Sequence, residues 1–316
     1  MQPVRTAVIG VGYLGRFHAQ KYAALPESTL VAVVDARADA RDKVAAEVGC
    51  RAVADFREIL GEVEAVSIAT TTPAHFPIAR ECLERGLHVL VEKPITETPE
   101  QARTLIEAAQ RRGRILQVGH LERFNSAVLA LEGVLGTPRF IESHRLAPFK
   151  ERGTDVNVVL DLMIHDIDLI QSLVGSPIVS IDAVGTSVFS SELDIANARI
   201  RYANGCVANT TASRVSMKME RKLRLFQDDA YVSIDLQQKV LTIVRKPPEG
   251  AAATPGQVSI EERTYEQGDA LKFEIEAFLG SIREGRPPVV SGEDGLRALE
   301  TAIRITELVQ GKGAAA

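Results

Sequence analysis

The feature that most constrains this chain is the glycine-spaced segment from Ala7 to His18, AVIGVGYLGRFH. An apolar, β-branched run leads into Gly10, Gly12 and Gly15, and the residues beyond them can continue as a helix. A strand, a tight turn and a helix start with this glycine spacing are the fingerprint of a dinucleotide-binding βαβ unit. The fingerprint predicts that a pyrophosphate lies on the free N–H groups at the positive end of the helix dipole.

Asp35 supports this interpretation, because it lies twenty residues after Gly15 at the end of a second apolar strand, TLVAVVD. A carboxylate there accepts hydrogen bonds from ribose hydroxyls and repels a 2′-phosphate, which favours NAD over NADP. Arg37 could instead pair with such a phosphate. Tyr13 and Leu14, inside the turn, are predicted cofactor contacts as well. A plain glycine turn in an α/β core is the alternative for the whole segment.

Composition and charge weigh against several classes of function. The 316 residues suggest about two domains, and the hydrophobic content of 45% is ordinary for a globular protein. A net charge of −5 gives no general attraction to nucleic acid or to an anionic membrane. No apolar run is long enough to span a membrane.

The amino-terminal sequence and the cysteines indicate the cellular compartment in which we expect the protein. The first apolar strand begins within a few residues of Met1, so we expect no secretion signal. Cys50, Cys82 and Cys206 are isolated and lack metal-ligand spacing. They are predicted to be packed thiols in a reducing compartment, the cytoplasm.

Alternating apolar strands and helices continue to about residue 120, as in a doubly wound parallel sheet. The strand AVSIAT ends in Thr70, Thr71 and Thr72, and a helix through His75 follows. Residues at the carboxyl end of a parallel strand face the ligand crevice. The three threonines and His75 are therefore predicted to lie at the cofactor, with helix capping as the alternative for the threonines.

The next strand, HVLVEKP, changes from apolar to charged residues at Glu92, Lys93 and Pro94. A lysine at this strand end projects toward the crevice, where its ammonium group can polarise a hydroxyl or carbonyl oxygen. Pro94 restricts Lys93 to an extended or turn conformation. All three residues are predicted to lie at the cofactor. The alternative for Lys93 is an ordinary surface lysine.

A second chemical segment is VNVVLDLMIHDIDLIQSLVG, residues 156–175, whose apolar pattern predicts a helix. Asp161 and His165 are four residues apart and share one face of such a helix. A carboxylate beside an imidazole raises its basicity, which suits a general base. Asp168 borders the same face, whereas Asp166 is predicted to be solvated. A hydrogen-bonded core network and a metal site of Asp161, His165 and Asp168 are the alternatives.

The rest of the chain predicts a sheet followed by helices. A helix is expected over 126–135, and from Ile178 to Val244 alternating strands follow, with a hairpin turn at Asn204 and Gly205. One face of such a sheet can pack on helices, and its other face can bind a second copy of the chain. The sequence therefore predicts a homodimer or homotetramer. Two final helices, about 268–285 and 292–311, cover the sheet or return to the first domain.

The glycine turn, ATTTPAH, EKP and DLMIHDID together resemble the glucose-fructose oxidoreductase, inositol 2-dehydrogenase and MocA (Gfo/Idh/MocA) family of sugar dehydrogenases. The resemblance runs in order over nearly the whole chain. It implies an N-terminal Rossmann domain, residues 1–122, with a doubly wound parallel sheet. It implies a substrate-binding and oligomerisation domain, residues 123–316, an α/β domain with a large, mostly antiparallel open sheet.

The resemblance also implies roles for particular residues. The positions of Lys93, Asp161 and His165 match the catalytic constellation of the family, which needs no metal. His165 is then the base that takes the hydroxyl proton, Lys93 stabilises the alkoxide, and Asp161 orients the pair while hydride passes to NAD. The resemblance favours Arg123 and Asn125 of GHLERFN as substrate contacts, with a structural hinge as the alternative.

The substrate is indicated by three segments, VQVGHLERFN, HRLAPF and DLMIHDIDL. They resemble the branch of the family that oxidises the 3-hydroxyl of UDP-N-acetylglucosamine to a ketone. Basic residues could bind the UDP pyrophosphate or could form solvated faces: Arg145, Lys150, Arg152, Arg214, Lys218, Arg221 and Lys222. The alternatives are an inositol or free-sugar dehydrogenase and a non-catalytic NAD-binding sensor.

Overall fold

The computed structural model describes residues 2–150, 156–246, 258–265 and 268–311. The chain divides into two compact units, Met1–Leu121 with Asp269–Leu299, and Glu122–Gly268 with Glu300–Ala316. The division after Leu121 lies one residue from the predicted domain boundary, but residues 269–299 belong to the first unit rather than to the second. None of the helices described is both long and apolar enough to cross a bilayer.

The first unit is built on a parallel sheet of six strands in the order β3-β2-β1-β4-β5-β6. The strands are β1 (Val4–Ile9), β2 (Ser28–Val34), β3 (Arg51–Val53), β4 (Ala65–Ile68), β5 (His88–Glu92) and β6 (Leu116–Gly119). This is the strand order of a dinucleotide-binding Rossmann fold, so the predicted doubly wound sheet is confirmed. The order reverses between β1 and β4, which places the ligand crevice at the carboxyl ends of these strands.

Helices connect these strands, and their ends agree with the local sequence. They are α1 (Tyr13–Ala24), α2 (Ala38–Val48), α3 (Thr72–Glu84) and α4 (Pro99–Arg112). Helix α2 ends at Gly49 and α4 at Gly113, both with positive φ, the conformation that glycine adopts most readily. The Thr98 hydroxyl accepts the Gln101 N–H at the start of α4, which is a typical N-cap.

Helix α7 (Ala270–Glu284) completes the core of the first unit. Its residues Leu271, Ile275 and Phe278 are buried in one cluster with Tyr22 of α1 and the apolar side chains of β1 and β2. Burying large side chains of this kind contributes about 1.5–3 kcal/mol each. Helix α7 is therefore an integral part of the dinucleotide-binding unit, although it is distant in sequence.

The second unit contains an eight-stranded sheet in the order β14-β13-β12-β11-β7-β10-β9-β8. The strands are β7 (Phe140–Leu146), β8 (Ile178–Thr186), β9 (Ile195–Tyr202), β10 (Val207–Ser213), β11 (Glu220–Phe226), β12 (Ala230–Asp235), β13 (Val240–Arg245) and β14 (Ser259–Thr264). Among the strands described for this unit, β7 and β10 alone pair in parallel, so the mostly antiparallel sheet is confirmed. The predicted turn joins β9 to β10, with Gly205 at φ 87°.

Two helix predictions in this unit are wrong in extent. Helix α5 covers only Ser126–Leu129, not 126–135, because the segment that follows contains Gly133, Gly136 and Pro138, which disfavour a helix. The predicted helix 156–175 begins as a π-helical turn, Val159–Met163, and continues as α6 (Ile164–Val174). Helix α8 (Gly292–Val309) follows α7.

Candidate active site

The glycine turn after β1 has the geometry that its spacing predicts. Gly10 has φ 82°, and a Cβ there would lie 2.8 Å from the Thr70 backbone nitrogen. A Cβ at Gly15 would lie 1.8 Å from the Gly10 carbonyl oxygen, so the helix and the turn approach too closely for any side chain. At Gly12 a Cβ would meet no protein atom within 4 Å. The first and third glycines are thus required by the fold, and the second leaves open space beside the helix start.

The start of α1 fits a bound pyrophosphate. Its N-cap, Gly12, provides no side-chain hydrogen bond, and the first turn carries no acidic residue. The helix N–H groups are therefore not capped by a carboxylate and can donate hydrogen bonds to an anion. Tyr13 is exposed, its ring lies edge-to-face with that of Phe17 at 5.4 Å between centroids, and Leu14 is half-buried. Contact of these two side chains with a cofactor stays a prediction.

The Asp35 carboxylate is held in place at the end of β2. Its Oδ2 accepts the Val11 N–H at 2.9 Å, and its Oδ1 accepts the Arg37 N–H at 2.9 Å. The carboxylate therefore links the end of β2 to the glycine turn, where a ribose would lie. The Arg37 guanidinium is exposed, and its Nε lies 3.9 Å from Oδ1. Together with the glycines, Asp35 forms a site that fits an NAD molecule.

The threonines after β4 lie at the same edge of the sheet. Thr71 is the N-cap of α3 but makes no side-chain capping hydrogen bond, and the Thr70 hydroxyl donates to the Thr71 carbonyl at 3.3 Å. Thr72 is half-buried at the first position of α3. A capping hydrogen bond by Thr71, one of the two interpretations, is thus not observed.

His75 is buried and connects two strand ends. Its Nδ1 lies 2.9 Å from the Pro94 carbonyl oxygen and its Nε2 lies 3.3 Å from that of Thr70. Burial lowers the pKa of the imidazole, so the neutral ring donates to one of these carbonyls at a time. The ring holds the segment after β4 against the turn after β5, and its contact with a cofactor stays a prediction.

The end of β5 carries the buried Glu92, the half-buried Lys93 and Pro94, which is joined to Lys93 by a cis peptide bond. Glu92 Oε2 accepts the Lys93 N–H at 3.3 Å. Glu92 Oε1 lies 3.1 Å from Nε2 of His18, a fully buried residue of α1. The backbone that carries Lys93 is therefore fixed by an internal carboxyl group.

In the second unit, Asp161 lies in the π-helical turn and His165 in the first turn of α6. Both side chains are half-buried. The Asn157 side-chain oxygen accepts the N–H groups of Val159 and Leu160, each at 3.0 Å, and so caps the turn. π-Helical turns are rare in proteins, and those that occur are often found at functional sites. The continuous α-helical face assumed for Asp161 and His165 is thus replaced by a wider turn.

Asp166 is buried, and the expectation that it is solvated is wrong. Its two oxygens accept hydrogen bonds from Nε and Nη2 of Arg145 at 2.7 and 3.1 Å. Arg145 Nη1 also donates to Glu122 at 2.9 Å. Burial disfavours the charged guanidinium, but the charges of Asp166 and Glu122 outweigh this effect and raise the Arg145 pKa. Arg145 therefore anchors the helix of His165, and the interpretation as a pyrophosphate ligand is not supported.

Asp168 is engaged in a second arginine pair. Arg123 donates from Nε to Oδ2 at 2.7 Å and from Nη2 to Oδ1 at 2.8 Å. A guanidinium on both oxygens contradicts the metal alternative of Asp161, His165 and Asp168. Asn125 is buried, caps α5 through its side-chain oxygen, and donates to the Leu236 carbonyl at 2.9 Å. These contacts favour the structural alternative for Arg123 and Asn125; their contact with substrate stays a prediction.

The other basic residues differ in their surroundings. Arg214 is buried and donates to the carbonyl of Leu193 at 2.8 Å, with its Nε 3.1 Å from an Asp194 oxygen. Lys150 is exposed. Lys218 and Arg221 are also exposed, Lys222 is half-buried, and Arg152 lies outside the described residues. Lys150, Lys218, Arg221 and Lys222 therefore remain candidates for a phosphate contact.

Two buried residues of the first unit were not singled out from the sequence. His18 lies one helical turn after Gly15, and Glu274 lies in the apolar stripe of α7 between Leu271 and Phe278. The helical spacing of the apolar residues puts Glu274 on the face of α7 that packs into the core. An acidic residue on such a face is unusual, and this is the signal that could have identified Glu274. With Glu92, these residues form a group whose potential ligand atoms lie within 4.8 Å of one another.

Comparison with known proteins identifies relatives of both parts of the chain. A profile of the Gfo/Idh/MocA oxidoreductases, described as an NAD-binding Rossmann fold, matches residues 4–120, and a profile of their C-terminal α/β domain matches residues 129–314. The chain is 42% identical over 310 residues to the UDP-N-acetylglucosamine 3-dehydrogenase of Acidithiobacillus ferrooxidans, covering 97% of each chain. It is 26% identical over 315 residues to the myo-inositol 2-dehydrogenase of Thermotoga maritima, covering 94% of this chain and 93% of that one.

Solved structures give the same result. The A. ferrooxidans enzyme superposes with a TM-score of 0.93 at 41% identity, with 100% of both chains covered. A levoglucosan dehydrogenase bound to NADH superposes with a TM-score of 0.86 at 20% identity, covering 98% of each chain, which shows the fold alone. On the evidence of both domain matches and the full-length relative, this chain belongs to the Gfo/Idh/MocA family of NAD-binding oxidoreductases.

Proposed function

We propose that this protein is an NAD-dependent dehydrogenase that oxidises the 3-hydroxyl of UDP-N-acetylglucosamine to a ketone. The observation that carries the proposal is the full-length match to an enzyme named for that reaction, at 42% identity and with 97% of each chain covered. Inositol dehydrogenases align with this chain at 25–28% identity over most of their length. The nucleotide sugar is therefore favoured over an inositol.

The catalytic roles follow from the chemistry of three side chains. His165 takes the proton of the sugar hydroxyl as general base. Asp161, four residues earlier, orients the imidazole and stabilises its protonated form. The Lys93 ammonium stabilises the alkoxide that develops on the sugar oxygen. Removal of that proton allows the carbon to release its hydrogen as hydride.

The cofactor contributes one chemical property: NAD, when bound, supplies the hydride acceptor. The chain binds and orients it. The Gly10–Gly15 turn and the start of α1 take the pyrophosphate, and Asp35 takes the adenosine ribose. Thr70, Thr71 and Thr72, at the end of β4, lie at the carboxyl edge where the nicotinamide half would bind. Among the basic residues, the exposed Lys150 is our candidate for a contact to the UDP phosphates.

The substrate assignment is tested with a panel of UDP-N-acetylglucosamine, UDP-glucose, N-acetylglucosamine and myo-inositol, each with NAD and with NADP. We expect NADH fluorescence to rise only with UDP-N-acetylglucosamine or far faster with it than with the others. Reduction of the product with borodeuteride, followed by NMR, should place deuterium at C3 of the sugar. Preferential oxidation of myo-inositol would favour the second candidate and refute the nucleotide sugar.

The catalytic roles are tested with Lys93→Met, Asp161→Asn and His165→Asn, with Lys272→Met as a matched control on an exposed lysine of α7. Loss of a general base or an electrostatic contact typically lowers kcat by about 10²–10⁴-fold. We expect losses of this size for Lys93→Met and His165→Asn with NADH binding unchanged. Normal turnover in both variants would refute the assignment. A wild-type protein that binds NADH but oxidises nothing in the panel would favour the sensor.

We further propose that the protein self-associates through its large sheet and resides in the cytoplasm. One face of the sheet is buried, whereas residues of the other face, Phe140, Phe226 and Tyr231 among them, are only half-buried. The rings of these three residues form a contiguous aromatic group, with centroids 5.6 and 5.0 Å apart. Cys50, Cys82 and Cys206 are free thiols, in keeping with a reducing compartment.

A further inference from the structure

Two phenylalanine rings lie together at one end of the large sheet of the second unit, where β7 and β10 end and β8 is connected to β9. Phe149 follows β7, and Phe189 lies in the connection between β8 and β9. Their ring centroids are 5.3 Å apart and the ring planes cross at 76°, so the rings meet edge to face. Phe189 is 66% exposed and Phe149 is half-buried. Phe189 therefore keeps much of its ring surface available for a planar ligand.

The segment that carries Phe189 is fixed from within by Asp194. The Asp194 carboxylate is fully buried. Its Oδ2 accepts the N–H groups of Val188, Phe189 and Ser190 at 2.8, 2.6 and 2.9 Å. Hydrogen bonds to a charged oxygen are strong, so three of them hold this backbone in one conformation. Because the backbone is already ordered, little conformational entropy is lost when a ligand contacts the Phe189 ring.

The same segment is attached to the π-helical turn that leads into α6. The Leu193 carbonyl accepts the Val158 N–H at 2.9 Å and a hydrogen bond from Arg214 Nη2 at 2.8 Å. Arg214 Nη2 also donates to the Val156 carbonyl. Val158 precedes His165 by seven residues, which corresponds to about 10 Å along a helix. The segment of Phe189 is therefore joined to the start of the helical stretch that carries the proposed general base.

Exposed ammonium groups accompany the aromatic pair. Lys150 directly follows Phe149 and is exposed. Lys218 is also exposed, in the connection from β10 to β11. This connection is held to the end of β7, because the Ser216 N–H donates to the Ala147 carbonyl at 3.1 Å. An aromatic ring with positive charges nearby is the combination that binds a nucleobase and its phosphates.

We propose that the Phe189 ring stacks on the uracil base of a UDP-sugar, with Phe149 packed against that ring and Lys150 in contact with the diphosphate. The proposal rests on the proposed function and extends it, because it names the residues that select a nucleotide sugar. A free sugar or an inositol has no base that could stack on this ring. The base, the diphosphate and the sugar of the substrate then follow one another from Phe189 toward His165.

The stacking is tested directly with Phe189→Trp, because the chain contains no tryptophan and the indole introduced is then the only one. UDP should quench its fluorescence. Inorganic pyrophosphate and 5,6-dihydro-UDP, whose base is not aromatic, should leave the fluorescence nearly unchanged. The matched control is Val179→Trp, at a 63% exposed position of β8 outside the connection to β9. An equal response of the two variants to UDP would overturn the proposal.

The contribution of the ring is measured by calorimetric titration of wild type, Phe189→Ala and Phe189→Tyr with UDP. Stacking of a base on an aromatic side chain contributes roughly fivefold to a hundredfold in affinity. We expect Phe189→Ala to lose this factor for UDP with its affinity for NADH unchanged, and Phe189→Tyr to restore it. Since Phe189 is largely exposed, neither change disturbs the core. Equal UDP affinity in wild type and Phe189→Ala would overturn the proposal.

In turnover, Phe189→Ala should raise the KM for UDP-N-acetylglucosamine by the same factor, with kcat and the KM for NAD nearly unchanged. The base is bound equally in the ground state and in the transition state, and loss of such a contact raises KM alone. A lower kcat with an unchanged KM would overturn the proposal, because Phe189 would then act on the position of α6 and not on the base.

A second copy of the chain is the other occupant that an exposed aromatic ring could have. Sedimentation equilibrium of wild type and Phe189→Ala distinguishes this case, and we expect the same association state for both. A change in mass together with unchanged UDP affinity would overturn the proposal and would place Phe189 in an interface between copies.

These readouts separate the two proposals. If the proposed reaction is wrong, wild type does not oxidise UDP-N-acetylglucosamine, but UDP still binds and still quenches the fluorescence of Phe189→Trp. If the stacking is wrong, wild type oxidises the nucleotide sugar and Phe189→Ala matches it in KM and in UDP affinity.

Discussion

At the scale of single residues, the three glycines of the turn have separable roles. Gly15 is required by the fold because a Cβ would overlap the Gly10 carbonyl, whereas a Cβ at Gly12 has free space on the protein side. We expect Gly15→Ala to destabilise the protein by about 1–3 kcal/mol or more. Gly12→Ala should change stability by no more than about 1 kcal/mol and should raise the KM for NAD.

Urea unfolding and NAD kinetics on the two variants check this prediction. An NAD KM in Gly12→Ala equal to that of wild type would place the pyrophosphate elsewhere. Wild-type stability in Gly15→Ala would contradict the close contact between the helix and the turn.

We expect Asp35 to decide which of the two nicotinamide cofactors the protein uses. Its carboxylate is held by the N–H groups of Val11 and Arg37, so it is oriented before a ribose arrives. Hydrogen bonds to a charged group contribute about 1.5–3 kcal/mol, which is roughly tenfold to a hundredfold in affinity. Asp35→Ser should raise the KM for NAD by that factor and should lower the KM for NADP, because Arg37 can then meet a 2′-phosphate.

The ratio of kcat/KM for the two cofactors measures this effect in wild type and Asp35→Ser. Arg37→Ala in the Asp35→Ser background is the control, and it should abolish the gain with NADP. A ratio unchanged by Asp35→Ser would show that the carboxylate does not select the cofactor.

At the scale of secondary-structure elements, α6 is held by two arginine–aspartate pairs whose aspartates follow closely after His165. Asp166 is bound by Arg145, and Asp168 by Arg123. Removing one partner of a buried pair leaves an uncompensated charge and costs about 3–5 kcal/mol, whereas replacing both with apolar residues is often nearly neutral. The pairs therefore stabilise the position of His165, the proposed general base.

We expect Arg145→Met alone to destabilise the protein by about 3–5 kcal/mol and Asp166→Leu alone to be strongly destabilising as well. The double variant should lose much less than the sum of the two. Denaturant unfolding of the three variants gives the coupling energy directly. Additive losses would mean that the two side chains do not act as a pair.

The elements with strong local signals were predictable from the sequence. Helix α4 begins at Pro99 and ends at Arg112, and its two ends are marked in the sequence by Thr98 and Gly113. The turn at Asn204 and Gly205 was equally clear. Helix α5 was predicted too long, because its apolar pattern continued past Leu129 into a segment where glycine and proline prevent a helix.

The contacts between distant segments were not predictable. Asp166 was expected in solvent because nothing near it in sequence reveals that Arg145 arrives from β7. Glu274 lies 182 residues after Glu92, so their common burial depends on the packing of α7 into the first unit. The π-helical turn that contains Asp161 lies inside the segment 156–175, whose apolar pattern predicted a continuous helix. Residue types and motif spacing thus indicated candidate site residues, but not which charged side chains pair with one another in the fold.

At the scale of the whole molecule, the large sheet is the surface through which we expect self-association. Phe226 lies at the centre of the aromatic group of this sheet face, and Arg224 pairs with Glu142 beside it at 3.4 Å. A charge in place of a central interface aromatic residue typically costs more than 2 kcal/mol of binding energy. Phe226→Asp should therefore shift the protein from a dimer or tetramer toward a monomer.

Sedimentation equilibrium at micromolar concentration checks this prediction, with Met217→Asp, an exposed residue outside the strands, as the control. A monomeric wild-type protein would contradict self-association. An oligomer unaffected by Phe226→Asp would place the interface on another surface.

The central claim is that this chain moves the hydrogen on C3 of UDP-N-acetylglucosamine to NAD. The most direct measurement uses UDP-N-acetylglucosamine deuterated at C3, with mass spectrometry of the NADH formed. The account predicts that the NADH carries the deuterium and that Lys93→Met and His165→Asn form far less of it. NADH without deuterium, or no NADH from this substrate while another sugar or polyol yields it, would contradict the account.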